Sequence, residues 1–171
     1  MKNFKRNLVL AVLASIIALS AAPALAEGGI VILTGPDLTR VVPTSFYFQG
    51  LSASTQMRNA AAVRFGDKRY VIVGLVDTSG YAADVRAKYE GFFITDSPIK
   101  INGSDLGAGA YGFGFSDAGK MQILNLAGNE ILSISTAKDA ELKRPRPLMM
   151  SKSGDGVRLY SGKDFVTITA K

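Results

Sequence analysis

Ile99-Lys100-Ile101, Asn102-Gly103, Tyr111-Gly112-Phe113-Gly114-Phe115, Asp117-Ala118-Gly119, Met121 to Leu126, Ala127-Gly128-Asn129 and Ile131 to Thr136 follow one another as apolar runs separated by turn residues. Asn-Gly is the strongest two-residue hairpin signal, because both central positions of a type I′ turn need positive φ. Runs of five or six residues joined by such turns predict a meander of antiparallel strands. In Tyr111 to Phe115 the period of two puts three aromatics on one face and leaves Gly112 and Gly114 as a bare opposite face.

The same rhythm extends in both directions. Upstream, Gly66-Asp67 turns the chain into Tyr70-Val71-Ile72-Val73-Gly74-Leu75-Val76, the clearest strand of the set. Gly29 to Thr34 and Val41 to Phe48 read as strands, with Gly35-Pro36-Asp37 as the turn between them. Met57 to Phe65 is ambiguous, since Asn59-Ala60-Ala61-Ala62 suits a helix on propensity. Ala82 to Tyr89 accommodates one turn of helix at most, and Tyr89 to Thr95 is strand-like. Downstream, Arg144-Pro145-Arg146-Pro147 must be extended and cannot lie in a central strand. Leu148 to Ser151, Val157 to Tyr160 and Phe165 to Thr169 then close the chain as strands. The fold expected is all-β: an antiparallel sandwich or small barrel, a single domain over residues 27–171, with at most one short helix.

The first 26 residues have a different character. Lys2, Lys5 and Arg6 precede an apolar run from Leu8 to Ala22, and Pro23 leads into the small-x-small site Ala24-Leu25-Ala26. Basic, apolar and small-residue zones in that order predict a secretory signal peptide cleaved after Ala26. The expected location is therefore periplasmic or extracellular, with no membrane span left after cleavage. Cleavage removes three basic residues and no acid, lowering the net charge from +6 to +3. That balance predicts solubility and gives no reason to expect nucleic-acid binding.

Composition excludes much chemistry. The chain has no His and no Cys. A Ser-His or Cys-His nucleophile pair, a thiolate zinc site and a disulfide are all ruled out. No cofactor and no metal is expected.

Several short motifs mimic catalytic signatures. Gly107-Ala108-Gly109-Ala110-Tyr111-Gly112 matches G-x-G-x-x-G, but the fingerprint needs a helix N-terminus after it, and a strand pattern follows. Gly114 to Lys120 matches G-x-x-x-x-G-K, yet Met121 stands where Ser or Thr should bind magnesium. Ser97-Pro98-Ile99-Lys100 matches S-x-x-K, but a strand would turn Ser97 and Lys100 to opposite faces. Asn102-Gly103-Ser104 is a glycosylation pattern that doubles as the hairpin turn. Val76-Asp77-Thr78-Ser79-Gly80 follows a buried strand, as the Asp-Thr-Gly loop of aspartic proteases does. Ser79 replaces the tight glycine and no second copy exists, so a homodimer using Asp77 as an aspartyl-type hydrolase is the alternative to a plain Asx turn.

A resemblance also bears on the fold. Phe46-Tyr47-Phe48-Gln49-Gly50, Gln56-Met57-Arg58-Asn59, Val76-Asp77-Thr78-Ser79-Gly80-Tyr81, Lys88-Tyr89-Glu90-Gly91, Leu106 to Phe115, Lys143 to Leu148 and Arg158-Leu159-Tyr160 together resemble a family of small secreted β-rich proteins of uncharacterised function, of acidobacterial type. The resemblance implies export and a β-rich fold, and it assigns no catalytic residue.

The function expected is that of a non-catalytic binding or structural module of the cell envelope. Tyr111, Phe113 and Phe115, with Tyr89 and Phe93, are the candidates to line a site for a small apolar or carbohydrate ligand. Lys143, Arg144 and Arg146 are the candidates for an anion contact.

Overall fold

The computed structural model describes residues 29–171; the predicted signal peptide, residues 1–26, lies outside them. The first elements are β1 (Val31–Leu33), α1 (Gly35–Val41), β2 (Ser45–Phe48), β3 (Leu51–Phe65), β4 (Arg69–Val76), α2 (Ala83–Arg86) and β5 (Gly91–Thr95). The next are β6 (Ile99–Ile101), β7 (Ser104–Leu106), β8 (Gly109–Ser116), β9 (Lys120–Leu124) and β10 (Glu130–Ser135). The chain ends with β11 (Ala137–Lys138), β12 (Arg146–Ser153), β13 (Gly156–Gly162) and β14 (Asp164–Ala170). No helix among the described residues is long and apolar enough to cross a membrane.

The strands form two antiparallel sheets, giving an all-β, sandwich-like single domain. One sheet runs β1-β3-β4-β5-β8-β9-β10, with β2 also paired to β3. The other runs β12-β13-β14-β6-β7, with β11 paired to β14. The predicted meander is present as β8, β9 and β10. Asn102 and Gly103 both have positive φ, 46° and 85°, and join β6 to β7 as their sequence requires. That hairpin belongs to the second sheet, so the chain leaves the first sheet after β5 and returns to it at β8. The ambiguous Met57 to Phe65 is strand: pairing of Ala60 to Phe65 with β4, and of Ala62 to Arg64 with β1 as well, outweighs the helix propensity of its alanines.

Strand parity divides the apolar residues between two cores. Val71, Val73, Phe93, Phe113, Met121 and Ile123 face the second sheet, meeting Ile99, Ile101, Val157, Leu159, Val166 and Ile168. Fully burying each such side chain is worth about 1.5–3 kcal/mol. The intervening positions, Phe92, Val76 and Leu124, face outward into a smaller core closed by Phe46, Phe48, Tyr81 and Tyr89. The first sheet is therefore covered on both faces.

Two short helices are present where the sequence suggests at most one. α2 is the expected single turn. α1 occupies Gly35-Pro36-Asp37, which reads as a turn: Pro36 lies in its first turn, where the missing amide costs nothing. Asp37 in the first turn and Arg40 in the last complement the helix dipole and pair at 3.6 Å. Leu38 and Val41 seat α1 against the smaller core.

Candidate functional site

The aromatic candidates do not form one site. Tyr111, Phe113 and Phe115 share a face as the alternation requires, and Phe93 stands beside them as the cross-strand partner of Tyr111. That face is the sandwich interior: Phe93 and Phe113 are completely buried there, with Tyr111 and Phe115 packed partly buried against it. Tyr89 lies on the other side of the sheet, its ring stacked on Phe48 at a centroid distance of 3.9 Å. Adjacent Phe92 and Phe93 point to opposite faces, so Tyr89, on the Phe92 side, and Phe93, both expected to line one site, are separated by the sheet itself.

The bare face of β8 is filled as well. A methyl group at Gly112 would lie 2.5 Å from Cε2 of Phe48, and one at Gly114 would lie 2.5 Å from the backbone oxygen of Lys88. The glycines serve the close approach of a ring and of the chain entering β5. Beneath them the Tyr89 hydroxyl is buried without a hydrogen-bond partner among the described residues, while Tyr81 Oη donates toward the carbonyls of Phe48 and Leu51. Burial holds the Tyr89 hydroxyl well above the usual phenol range, so it stays protonated.

The other motifs are accounted for locally. Asp77 Oδ1 accepts the Ser79 amide at 3.0 Å, which is an Asx turn, and this bond holds the exposed carboxyl below the ordinary carboxylate range. Gly119 donates its amide to Ser116, closing the β8–β9 hairpin across Asp117 and Ala118. Strand β8 begins at Gly109, inside the G-x-G-x-x-G match, where a nucleotide would need a helix to follow. Asn102 Nδ2 donates to the carbonyl of Ser135, so the amide nitrogen of the glycosylation pattern is engaged in the fold. Among the described residues no group of three or more Asp and Glu is placed to hold a metal ion.

A concave site lies at the side of the sandwich where the edge strands β1 and β12 meet. It has a volume of about 170 Å³. Its floor is the buried trio Ala61, Leu148 and Met150, with Ile32, Leu33 and Leu38 on the walls. Arg58, Arg146 and Thr34 are its exposed members. The cleft thus combines an apolar base with two arginines and has no acidic residue in its lining.

Both arginines are carried by breaks in a strand ladder. In β3, Thr55 pairs with Val76 and Ala60 with Gly74, so Gln56-Met57-Arg58-Asn59 faces the single residue Leu75. Gln56 Nε2 donates to the carbonyl of Val76 at 2.9 Å, and Asn59 Nδ2 donates to Gln56 Oε1 at 2.9 Å, which pins the bulge. In β12, Pro147 and Leu148 face Ser161 alone, and Arg146 is the residue at which the irregularity begins. Pro145 and Pro147 confine Arg146 to an extended backbone. Bulges of this kind re-aim side chains and gather beside functional sites. Among the described residues neither arginine is within ion-pair distance of a carboxylate.

Of the anion candidates, only Arg146 lines this cleft; Lys143 and Arg144 are exposed on the preceding connector. Arg58 is the residue that charge density alone misses. Its signal in the sequence is the polar interruption Thr55-Gln56-Met57-Arg58-Asn59 inside an otherwise strand-like run. Compared with family models, curated proteins and solved structures, the chain shows no match.

Proposed function

We propose that the protein is an exported, non-catalytic binding module whose site is the cleft between β1, β3 and β12. The observation that carries this reading is the pair of ladder breaks that bring Arg58 and Arg146, from different sheets, to one apolar-floored cleft. Interrupting a ladder forfeits backbone hydrogen bonds worth about 1 kcal/mol each, a cost that a binding site offsets through function. Export rests on the residues Met1 to Ala26 and on the resemblance to secreted proteins.

Ligand-observed NMR with a mixture of small fragments tests the reading on the wild-type chain and on Thr34→Trp. Thr34 is exposed on the cleft and its side chain makes no helix-capping bond, so the indole can cover the opening without unfolding α1. The expected result is binding to the wild type and loss in the variant. Fragments retained by Thr34→Trp, or none bound by either chain, would overturn it.

A further inference from the structure

Resting on the cleft as the binding site, we infer that its ligand is a free small carboxylic acid, with the carboxylate between Arg58 and Arg146 and an apolar body about the size of a benzene ring on the floor.

Size sets the first limit. A cavity of about 150 Å³ lined by apolar side chains takes up benzene, and this cleft holds about 170 Å³. One ring or a short branched acyl group fills it. A steroid or a long acyl chain does not.

Charge sets the second. Two arginines and no acidic residue line the cleft, so the partner group is an anion. Guanidinium presents paired, coplanar N–H donors that match the two oxygens of a carboxylate, and such bonds are about twice as strong as neutral ones. A carboxylate bears one charge and is flat, and it sheds less hydration beside the apolar floor than a phosphate dianion does.

The layout of the lining sets the third. The apolar members Ala61, Leu148 and Met150 are nine-tenths or more buried, whereas both arginines are exposed. A ligand must therefore be amphipathic, with its apolar part inward and its anion at the surface. The bonds that hold Gln56, and the prolines around Arg146, fix the backbone beneath both arginines before a ligand arrives. Such preorganisation reduces the ordering cost of binding.

Isothermal titration of the full chain with four probes tests this inference. Benzoate is expected to bind at least tenfold more tightly than benzyl alcohol, a neutral analogue with the same ring, and than inorganic phosphate, an anion without a ring. It is also expected to bind more tightly than N-acetylphenylalanine, which carries the same chemistry as the end of a peptide. Arg58→Gln and Arg146→Gln should each weaken benzoate about tenfold and leave benzyl alcohol unchanged; both sites are exposed, and an unaltered unfolding midpoint confirms the fold. Equal binding of benzyl alcohol and benzoate would overturn the carboxylate while leaving the cleft as the site. Phosphate binding as tightly as benzoate would overturn the apolar body, and tighter N-acetylphenylalanine would overturn the free acid in favour of a peptide terminus. If no probe binds while fragments still distinguish wild type from Thr34→Trp, the ligand class alone falls; if those fragments fail too, the binding site falls with it.

Discussion

The ring of Phe48 occupies the space above Gly112, with Cε2 2.5 Å from where a methyl group at that glycine would sit. Phe92 links this contact to the next strand, pairing with Gly112 on one side and with Gly74 on the other. Its own ring would meet a side chain at Gly74, with Cζ at 2.7 Å. The smaller core is thus assembled from rings lying over glycines.

Substitution on that face should overpack the interior. For Gly114→Val the obstacle is the backbone oxygen of Lys88, which cannot rotate away as a side chain can. We expect a loss of about 3 kcal/mol, the upper part of the usual overpacking range. Chemical denaturation would show it as a lower midpoint at unchanged slope. An unaltered midpoint would mean that the face of β8 is open after all.

A second prediction concerns the junction between the sheets. Asn102 Oδ1 accepts the Thr167 amide at 2.7 Å, and its Nδ2 donates to the Ser135 carbonyl at 2.9 Å. One side chain therefore bonds to β14 in one sheet and to β10 in the other. Asn102→Ala should cost about 2–3 kcal/mol, from two hydrogen bonds and from alanine's strain at φ 46°. Asn102→Gly removes the bonds while relieving the strain, so its loss should be smaller. Equal midpoints for the wild type and both variants would contradict this.

The dependence of stability on pH gives a third. Glu90 accepts the Phe115 amide at 2.9 Å from a partly buried position. Burial raises its carboxyl above the ordinary value of 4.5 despite that bond, and the charge of Asp117 adds to the rise. The folded chain then holds this proton more tightly than the unfolded chain does. The associated stability is fully present below pH 4.5 and is lost as pH rises through the higher folded value. Glu90→Gln keeps an acceptor for Phe115, so it should remove that decline and raise stability at pH 7. A variant less stable than the wild type at neutral pH would show that the charge is favourable where it sits.

Export supplies the fourth. Expressed in a bacterium with its first 26 residues in place, the protein should be recovered outside the cytoplasm with Glu27 as its first residue. Intact mass spectrometry decides it. A cytoplasmic protein beginning at Met1 would refute the assignment.

The sequence reveals local structure better than it reveals pairing. Asn102-Gly103 and the β8–β10 meander are legible because turn chemistry and a period of two act between near neighbours. That β6 pairs with β14, Ile101 against Ile168, depends on a contact between distant parts of the chain, and no local pattern encodes it. The aromatic stripe was visible, but its surroundings were not: Tyr111 to Phe115 reads the same whether it faces a cleft or a second sheet. Arg146 was found by the density of charge around it. Arg58 escaped because an isolated arginine in a strand is ordinary until the register break beneath it is seen. Gly35-Pro36-Asp37 reads as a turn yet opens α1, because proline suits the start of a turn and of a helix alike.

Backbone amide mapping by NMR tests the central claim most directly. On titration with benzoate, shifts should concentrate at Ile32 to Thr34, Leu38, Arg58 to Ala61 and Arg146 to Met150, which line the cleft. Tyr111 to Phe115 should remain unperturbed, since that strand faces the sandwich interior on one side and the smaller core on the other. Saturable shifts confined to these cleft residues are expected. Shifts centred on the β8 strand, or scattered without saturation across the surface, would contradict it.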